Sequence, residues 1–408
     1  MSEKWIVREE YLSKLTALQN KKIIKVVTGV RRCGKSTLLE IFQEYLRGHG
    51  VADEQIIALN FEEYDYRYLR EPDNLYAYIK ERLCEDKYTY IFLDEVQHVT
   101  NFQEVVDSLF IKDKVDIYLT GSNANMLSGE LATLLSGRYV EISMLPLSFK
   151  EYVEGTPEDN KTLMQKYNDY ALYGAFPYLL ELGDRPREVQ DYLEGIYNTV
   201  ILKDIIGRRK VTDPLMLESV VLFALDNVGN QLSSKKIADT MTSAGRKIDV
   251  RTVEKYINAL CECFILYPVK RYNIKGKQLL RSLEKYYAVD MGLRYALLGS
   301  KSYDVGHVLE NIVYLELKRR GYKVYVGKVD ELEVDFIAVS PQGRSYYQVS
   351  ASVRDSRTLE RELASLRAVN DSYPKYLLTL DEDPDTDYEG IIRTNALQWL
   401  LGSGGRDN

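Results

Sequence analysis

Apolar runs too short to be helices punctuate the first third of the chain. Ile23–Thr28, Tyr90–Leu93 and Val115–Thr120 each stop at a glycine, an acid pair or a Gly-Ser-Asn turn. Continuous short runs of this kind are what a parallel sheet buried on both faces requires, since neither side of such a strand meets water. After the first run the period changes, and Leu38, Leu39, Phe42 and Leu46 recur at helical spacing. The alternation predicts an α/β domain over residues 1–146, whose ligands gather at the carboxyl ends of its strands.

Beyond Pro146 the pattern turns helical, through Leu147–Val153, Leu163–Leu172 and Val189–Ile205, with a turn at Gly174–Pro177. A helical lid over 147–213 is expected. From Leu215 to Asp290 the pattern predicts three helices and a hairpin, with Ser233 capping a helix from Ser234 and Asp249 capping one from Val250. In the latter Val253, Tyr256, Ile257, Leu260 and Cys261 share one face, leaving Arg251, Lys255 and Asn258 outside. A strand over Phe264–Arg271 then leads to Lys275, Gly276 and Lys277, a basic tip with the character of a wing. This is the layout of a winged helix over 214–300, with one helix for the major groove and a loop for phosphates.

Composition narrows the classes. A chain of 408 residues exceeds one hydrophobic core, so two to four domains are expected. No window approaches a membrane-spanning length, and the amino terminus lacks the apolar stretch of a signal peptide, which predicts a cytoplasmic protein without membrane contact. Four cysteines and three histidines are too few and too scattered for a disulfide framework or a zinc site. The net charge of −7 argues against a surface coated for nucleic acid. Yet residues 235–281 carry eleven Lys and Arg against four acids, a local balance of +7. That balance favours DNA over protein as the winged helix's partner, although the same fold also serves as a protein-binding module.

The chemistry lies where the first strand meets its helix. Gly29, Gly34, Lys35 and Ser36 fit G-x-x-x-x-G-K-[ST] between a strand and a helix. The two glycines let the backbone of Gly29, Val30, Arg31, Arg32, Cys33 and Gly34 curl around phosphates at a helix start. Lys35 would reach the β- and γ-phosphates of ATP, and the Ser36 hydroxyl would bind Mg2+. Thr37 is a further candidate phosphate contact. Asp94 and Glu95 end the second apolar run, where Asp94 would hold the metal and Glu95 would act as general base. That acid pair implies an added central strand. Ser122 and Asn123 follow the third run as candidates to sense the γ-phosphate or orient water, and their order does not choose between them. Arg138 is a candidate to contact the γ-phosphate, in cis or from a neighbouring subunit in a homo-oligomer.

GVRRCGKST from Gly29, FLDEVQHV from Phe92, TGSNANML from Thr120, SGRYVEISMLPLSFKEY from Ser136 and YGAFPYLL from Tyr173 resemble the prokaryotic AAA-type ATPases akin to the archaeal ATPases. The resemblance implies a P-loop core, a helical segment, a winged helix and a terminal nuclease-like domain, here 301–401, before a short tail of 402–408. The order of Glu310, Asp335 and Gln348-Val349-Ser350 is similar to that of restriction-endonuclease-like nucleases, whose second element is an acid-x-lysine. Gln348 and Ser350 replace that acid and lysine, so a degraded and inactive centre is expected. The nearest compensating lysines in sequence are Lys318, Lys323 and Lys328, and the acidic run from Asp381 is expected to be solvated. The two functions carried forward are a magnesium-dependent ATPase acting with DNA and a slow nucleotide switch acting on a protein partner, with an ATP-gated nuclease third.

Overall fold

The computed structural model describes residues 5–122, 135, 137–157, 160–183, 185–207, 211–280, 283–299 and 304–402, with backbone alone for 201–203. They divide into two compact units, one of Met1–Met144 with Glu262–Phe264 and one of Leu145–Cys261 with Ile265–Asn408.

The first unit holds helix α1 (Glu9–Ala17) and a five-stranded parallel sheet, β1 (Ile24–Thr28), β2 (Ile56–Asn60), β3 (Thr89–Asp94), β4 (Val115–Gly121) and β5 (Tyr139–Ser143), in the order β2-β3-β4-β1-β5. Thus β4 is the added central strand between β3 and β1. Period-2 alternation splits each central strand between two layers. Ile24, Val26, Ile91, Leu93, Ile117 and Leu119 join one core cluster with Leu75, Ile79, Val106 and Leu109 of helices α3 (Pro72–Lys80) and α4 (Phe102–Phe110). The intervening Phe92 and Tyr118 stack at 4.8 Å and meet Phe42 of helix α2 (Lys35–Gly48) at 6.2 and 5.1 Å. Burial on both faces is why these strands read as unbroken apolar runs.

In the second unit a three-stranded sheet, β6 (Gln231–Leu232), β10 (Glu284–Ala288) and β7 (Leu266–Val269), accompanies helices Pro214–Asp226, Ser234–Ser243 and Val250–Glu262. The strand expected over Phe264–Arg271 is two strands. After β7 the chain leaves this sheet at Lys270, and β8 (Arg271–Asn273) pairs in parallel with β11 (Lys323–Val329). With β9 (Gln278–Leu279), β12 (Leu332–Ser340), β13 (Gly343–Ser350), β14 (Lys375–Thr379), β15 (Thr386–Tyr388) and β16 (Ile391–Asn395) they form an eight-stranded sheet, β15-β16-β14-β13-β12-β11-β8-β9. The boundary expected near residue 300 is therefore crossed by backbone pairing, and the expected wing hairpin is an edge of the terminal sheet.

A second clasp crosses the same boundary. Asn311, fully buried on the helix Val305–Arg319, accepts from the Ala288 N–H at 2.8 Å and donates to its carbonyl at 2.9 Å. The acidic run is also more than a solvated loop. Asp381 is buried and accepts from the Ser352 hydroxyl at 2.7 Å and the Val353 N–H at 2.8 Å.

Candidate functional site

The loop between β1 and α2 is shaped by its glycines. Gly29 has φ +151 and lies so close to the backbone of Met144 that a Cβ would sit 2.2 Å from that carbonyl oxygen. Gly34 has φ +97 and caps α2 without a side chain, leaving the helix start available to an anion. Arg8 and Cys33 brace the loop. The guanidinium of Arg8, buried though outside any motif, donates to the Cys33 carbonyl at 3.3 Å, and the thiol of Cys33 lies 3.7 Å from the Met144 carbonyl. Burial pushes that thiol's pKa up, so it packs as an apolar group. Val30 is buried, Arg32 is exposed at φ +67, and Arg31 pairs with Glu62 at 3.0 Å.

Side chains from the ends of two strands, β3 and β4, and from helix α2 converge beside this loop. Lys35 donates to the carbonyls of Gly29 and Val30 at 3.1 and 3.2 Å and lies 3.9 Å from Glu95. Burial raises the Asp94 carboxyl above the usual range, and hydrogen bonds from Thr120 and Ser36 oppose it. Thr120, which sequence reasoning passed over, serves both acids. Its hydroxyl donates to Asp94 and accepts from the Glu95 N–H at 2.9 Å. Glu95 takes a left-handed backbone, φ +50, and its Oε2 accepts from Gln97 and from the Ser122 hydroxyl at 3.3 Å. A non-glycine residue held in that region is a mark of stored strain at sites that need a fixed geometry.

Glu62, Glu95 and His98 bring ligand atoms within 4.8 Å of one another. Burial works to raise the Glu62 carboxyl, but Arg31, with His98 and Arg32, holds it below the usual range. Thr37 lies in the first turn of α2 with no contact that defines a role, and Asn123 lies outside the described residues.

Arg138 requires a correction to its reading in cis. It directly precedes β5, and Tyr139 pairs with Ile24, the first residue of β1, so Arg138 lies at the strand starts while the loop lies at the strand ends. Its guanidinium pairs with Asp107 and stands 5.7 Å above the Phe110 ring.

The basic segment is partly neutralised from outside itself. Lys275 pairs with Asp330 at 2.6 Å and Arg271 with Glu333 at 3.5 Å, while Arg246 bonds to the Leu215 carbonyl and Ser219. Arg251, Lys255 and Lys277 are exposed.

In the terminal sheet, the reading of the nuclease-like centre as lacking a lysine is also corrected. Lys285, from β10, reaches Glu310 at 3.1 Å and Glu333 at 2.8 Å and is 7% exposed. Burial disfavours its charge, but Glu310, Asp335 and Glu333 overcome this and raise its pKa above that of an ordinary lysine. Tyr287 adds a hydrogen bond to Glu310 at 2.7 Å. Burial, and next Glu310, push the Asp335 carboxyl well above the usual range. Asp335 accepts from the Val349 N–H at 2.8 Å. Gln348 donates to Glu362 at 2.8 Å and accepts from Ser365 at 3.1 Å, and Ser350 donates to the Ser352 carbonyl.

Residues 21–153 match an AAA domain, and residues 164–304 match a domain of unknown function (DUF8612). The chain is 40% identical over 404 residues to an uncharacterized protein of Haemophilus influenzae, covering 98% of this chain and 100% of that one. The uncharacterized protein MJ1544 of Methanocaldococcus jannaschii is 27% identical over 367 residues, 85% of this chain and 79% of its own length. Among solved structures, the Walker-type ATPase Paby2304 of Pyrococcus abyssi is similar in fold, with a TM-score of 0.50 and 17% identity over 72% of this chain and 97% of that chain.

Proposed function

Because the chain belongs to the family of prokaryotic AAA-type P-loop ATPases that includes the Haemophilus influenzae protein, we propose that it binds ATP with Mg2+ at residues 29–37 and hydrolyses it. One observation carries this reading: Lys35 folds back on the loop and lies 3.9 Å from Glu95, while the Thr120 hydroxyl holds Asp94 and Glu95 together at the adjoining strand end. Ser36 and Asp94 offer hard oxygen donors, the kind that magnesium prefers, and they would hold the ion. Bound there, it would neutralise charge building on the phosphates.

The rest falls to this chain's own groups. Gly29 to Gly34 wrap the phosphates, Lys35 exchanges its carbonyl partners for phosphate oxygens, and Glu95 takes a proton from the attacking water. Thr120 fixes both acids, and Ser122 holds the Glu95 carboxylate. Equilibrium binding of ATP with and without Mg2+ tests the first step. Lys35→Ala abolishes binding on this reading, and unchanged affinity would refute it.

The order helix, β6, two helices, β7, β10 supports a winged helix over 214–300, with Arg251 and Lys255 on its exposed helix face as candidate DNA contacts. A helical lid over 147–213 and the terminal domain of 301–401 complete the reading, with the protein placed in the cytoplasm. No helix among the described residues is long and apolar enough to cross a membrane. Because β8 and β9 belong to the terminal sheet, nucleotide-driven movement would carry the winged helix and terminal domain together. The terminal centre is read as structural, since the polar ends of Gln348 and one oxygen of Asp335 are engaged internally.

A further inference from the structure

Gln97 lies in a short turn of 3-10 helix, Val96–His98, directly after Glu95. Its Nε2 donates to Glu95 Oε2, while its own Oε1 is buried and has no hydrogen-bond partner among the described residues. A buried acceptor without a donor is an exception in folded proteins and requires a reason. Here the reason is local. Glu95 is fixed from three sides, by Thr120 at its N–H, by Ser122 and Gln97 at Oε2, and by Lys35 at 3.9 Å from Oε1. A water that gives a proton to Glu95 must sit within hydrogen-bond distance of that carboxylate. The Gln97 oxygen shares a carbon with the nitrogen that already touches the carboxylate, which sets it beside the carboxylate such a water must approach, and it is shielded from bulk solvent.

We infer that Gln97 orients the attacking water: Nε2 holds the Glu95 carboxylate, and Oε1 accepts the water's second hydrogen. The inference rests on the hydrolysis reading above. In the step, the water oxygen forms a bond to the γ-phosphorus as the bond from that phosphorus to the β,γ-bridging oxygen breaks. ADP leaves with that electron pair, one water proton passes to Glu95, and the other, guided by Gln97, stays on the new phosphate. An amide suits the position because it donates to a carboxylate and accepts from water at once. A carboxylate at 97 would repel Glu95, and an alkyl chain would do neither job.

The test compares wild type, Gln97→Leu, Gln97→Glu, Glu95→Gln and the double variant Glu95→Gln/Gln97→Leu. Steady-state phosphate release and equilibrium binding of a fluorescent ATP analogue are measured for each, with thermal melts to establish folding. Both Gln97 variants should lose roughly 10- to 100-fold in kcat and keep nucleotide affinity within about twofold, the signature of a contact made as the water attacks. Residues acting on one water are not additive, so the double variant should be no slower than Glu95→Gln alone. Turnover of Gln97→Leu within about threefold of wild type, affinity lost in step with kcat, or additive losses in the double variant would overturn the inference. If Glu95→Gln stops turnover while both Gln97 variants are normal, the inference alone fails. If wild type binds ATP and releases no phosphate, the hydrolysis reading fails with it.

Discussion

Lys285→Met removes an ammonium group while keeping most of the side chain's length, and it should destabilise the second unit selectively. In the native protein Glu310 accepts from Lys285 at 3.1 Å and from Tyr287 at 2.7 Å, and both ion-pair partners are nearly inaccessible, at 7% and 10%. Breaking a buried pair by deleting one partner costs about 3–5 kcal/mol, because the other charge is left uncompensated. The second partner, Glu333, is 30% exposed and adds little after solvent screening. A loss of about 3 kcal/mol is therefore expected, at the lower end because the Tyr287 hydroxyl remains. At about 2–4 °C per kcal/mol for units of roughly 150–250 residues, the corresponding transition falls by roughly 6–12 °C. Differential scanning calorimetry reads this directly, and ATP affinity measured alongside should not change. Glu310→Gln in the same chain removes the orphaned charge and should recover part of the loss. A shift below about 2 °C, or a double variant no more stable than the single, would refute the claim that Lys285 is the counter-ion of this centre.

Asp290 is buried and caps the helix Met291–Leu298 while accepting from the Ala175 N–H at 2.6 Å, and burial raises its pKa to about 6. The native state then binds more protons than the unfolded chain between about pH 4 and 6. The Asp290 contribution to stability is therefore greatest at the acid end of that window and falls as pH rises through it; denaturant titrations of wild type and Asp290→Asn should differ in this slope. Removing charge at Arg251 and Lys255 together should weaken duplex DNA binding and flatten its salt dependence, whereas Lys275→Ala should do much less, being already paired to Asp330; equal effects in a salt-titrated binding assay would count against this division. No cleavage of plasmid or oligonucleotide DNA is expected in magnesium or manganese, with or without ATP, and cleavage abolished by Asp335→Ala would restore the nuclease reading.

What was legible in the sequence was what is contiguous in it. Gly29 to Ser36 and Asp94-Glu95 each lie within one stretch, and the strands that carry them are buried on both faces, so pattern and motif agreed. Thr120 was passed over because its role arises from the pairing of β3 with β4, which places its hydroxyl between two acids 25 and 26 residues away. Lys285 was missed because it comes from a different sheet, 25 residues before Glu310. The split of Phe264–Arg271 into β7 and β8 depends on a three-residue strand finding β11, more than fifty positions later, a pairing too short to leave a period. The cis alternative for Arg138 stayed open in the sequence because a glycine-arginine pair does not reveal which end of a strand it adjoins. In the winged-helix segment the local +7 balance overstated free charge, since Asp330 and Glu333 lie outside the counted residues but against Lys275 and Arg271.

Phosphate release under excess ATP and magnesium, from wild type and from Glu95→Gln, tests the central claim most directly. Multiple turnovers by wild type, with Glu95→Gln binding ATP as tightly but releasing almost no phosphate, are the predicted result. Duplex DNA added to the wild-type reaction should raise the rate if the protein works on DNA, whereas slow turnover indifferent to DNA would favour the switch. Release by Glu95→Gln at the wild-type rate would contradict the assignment of Glu95 as the base.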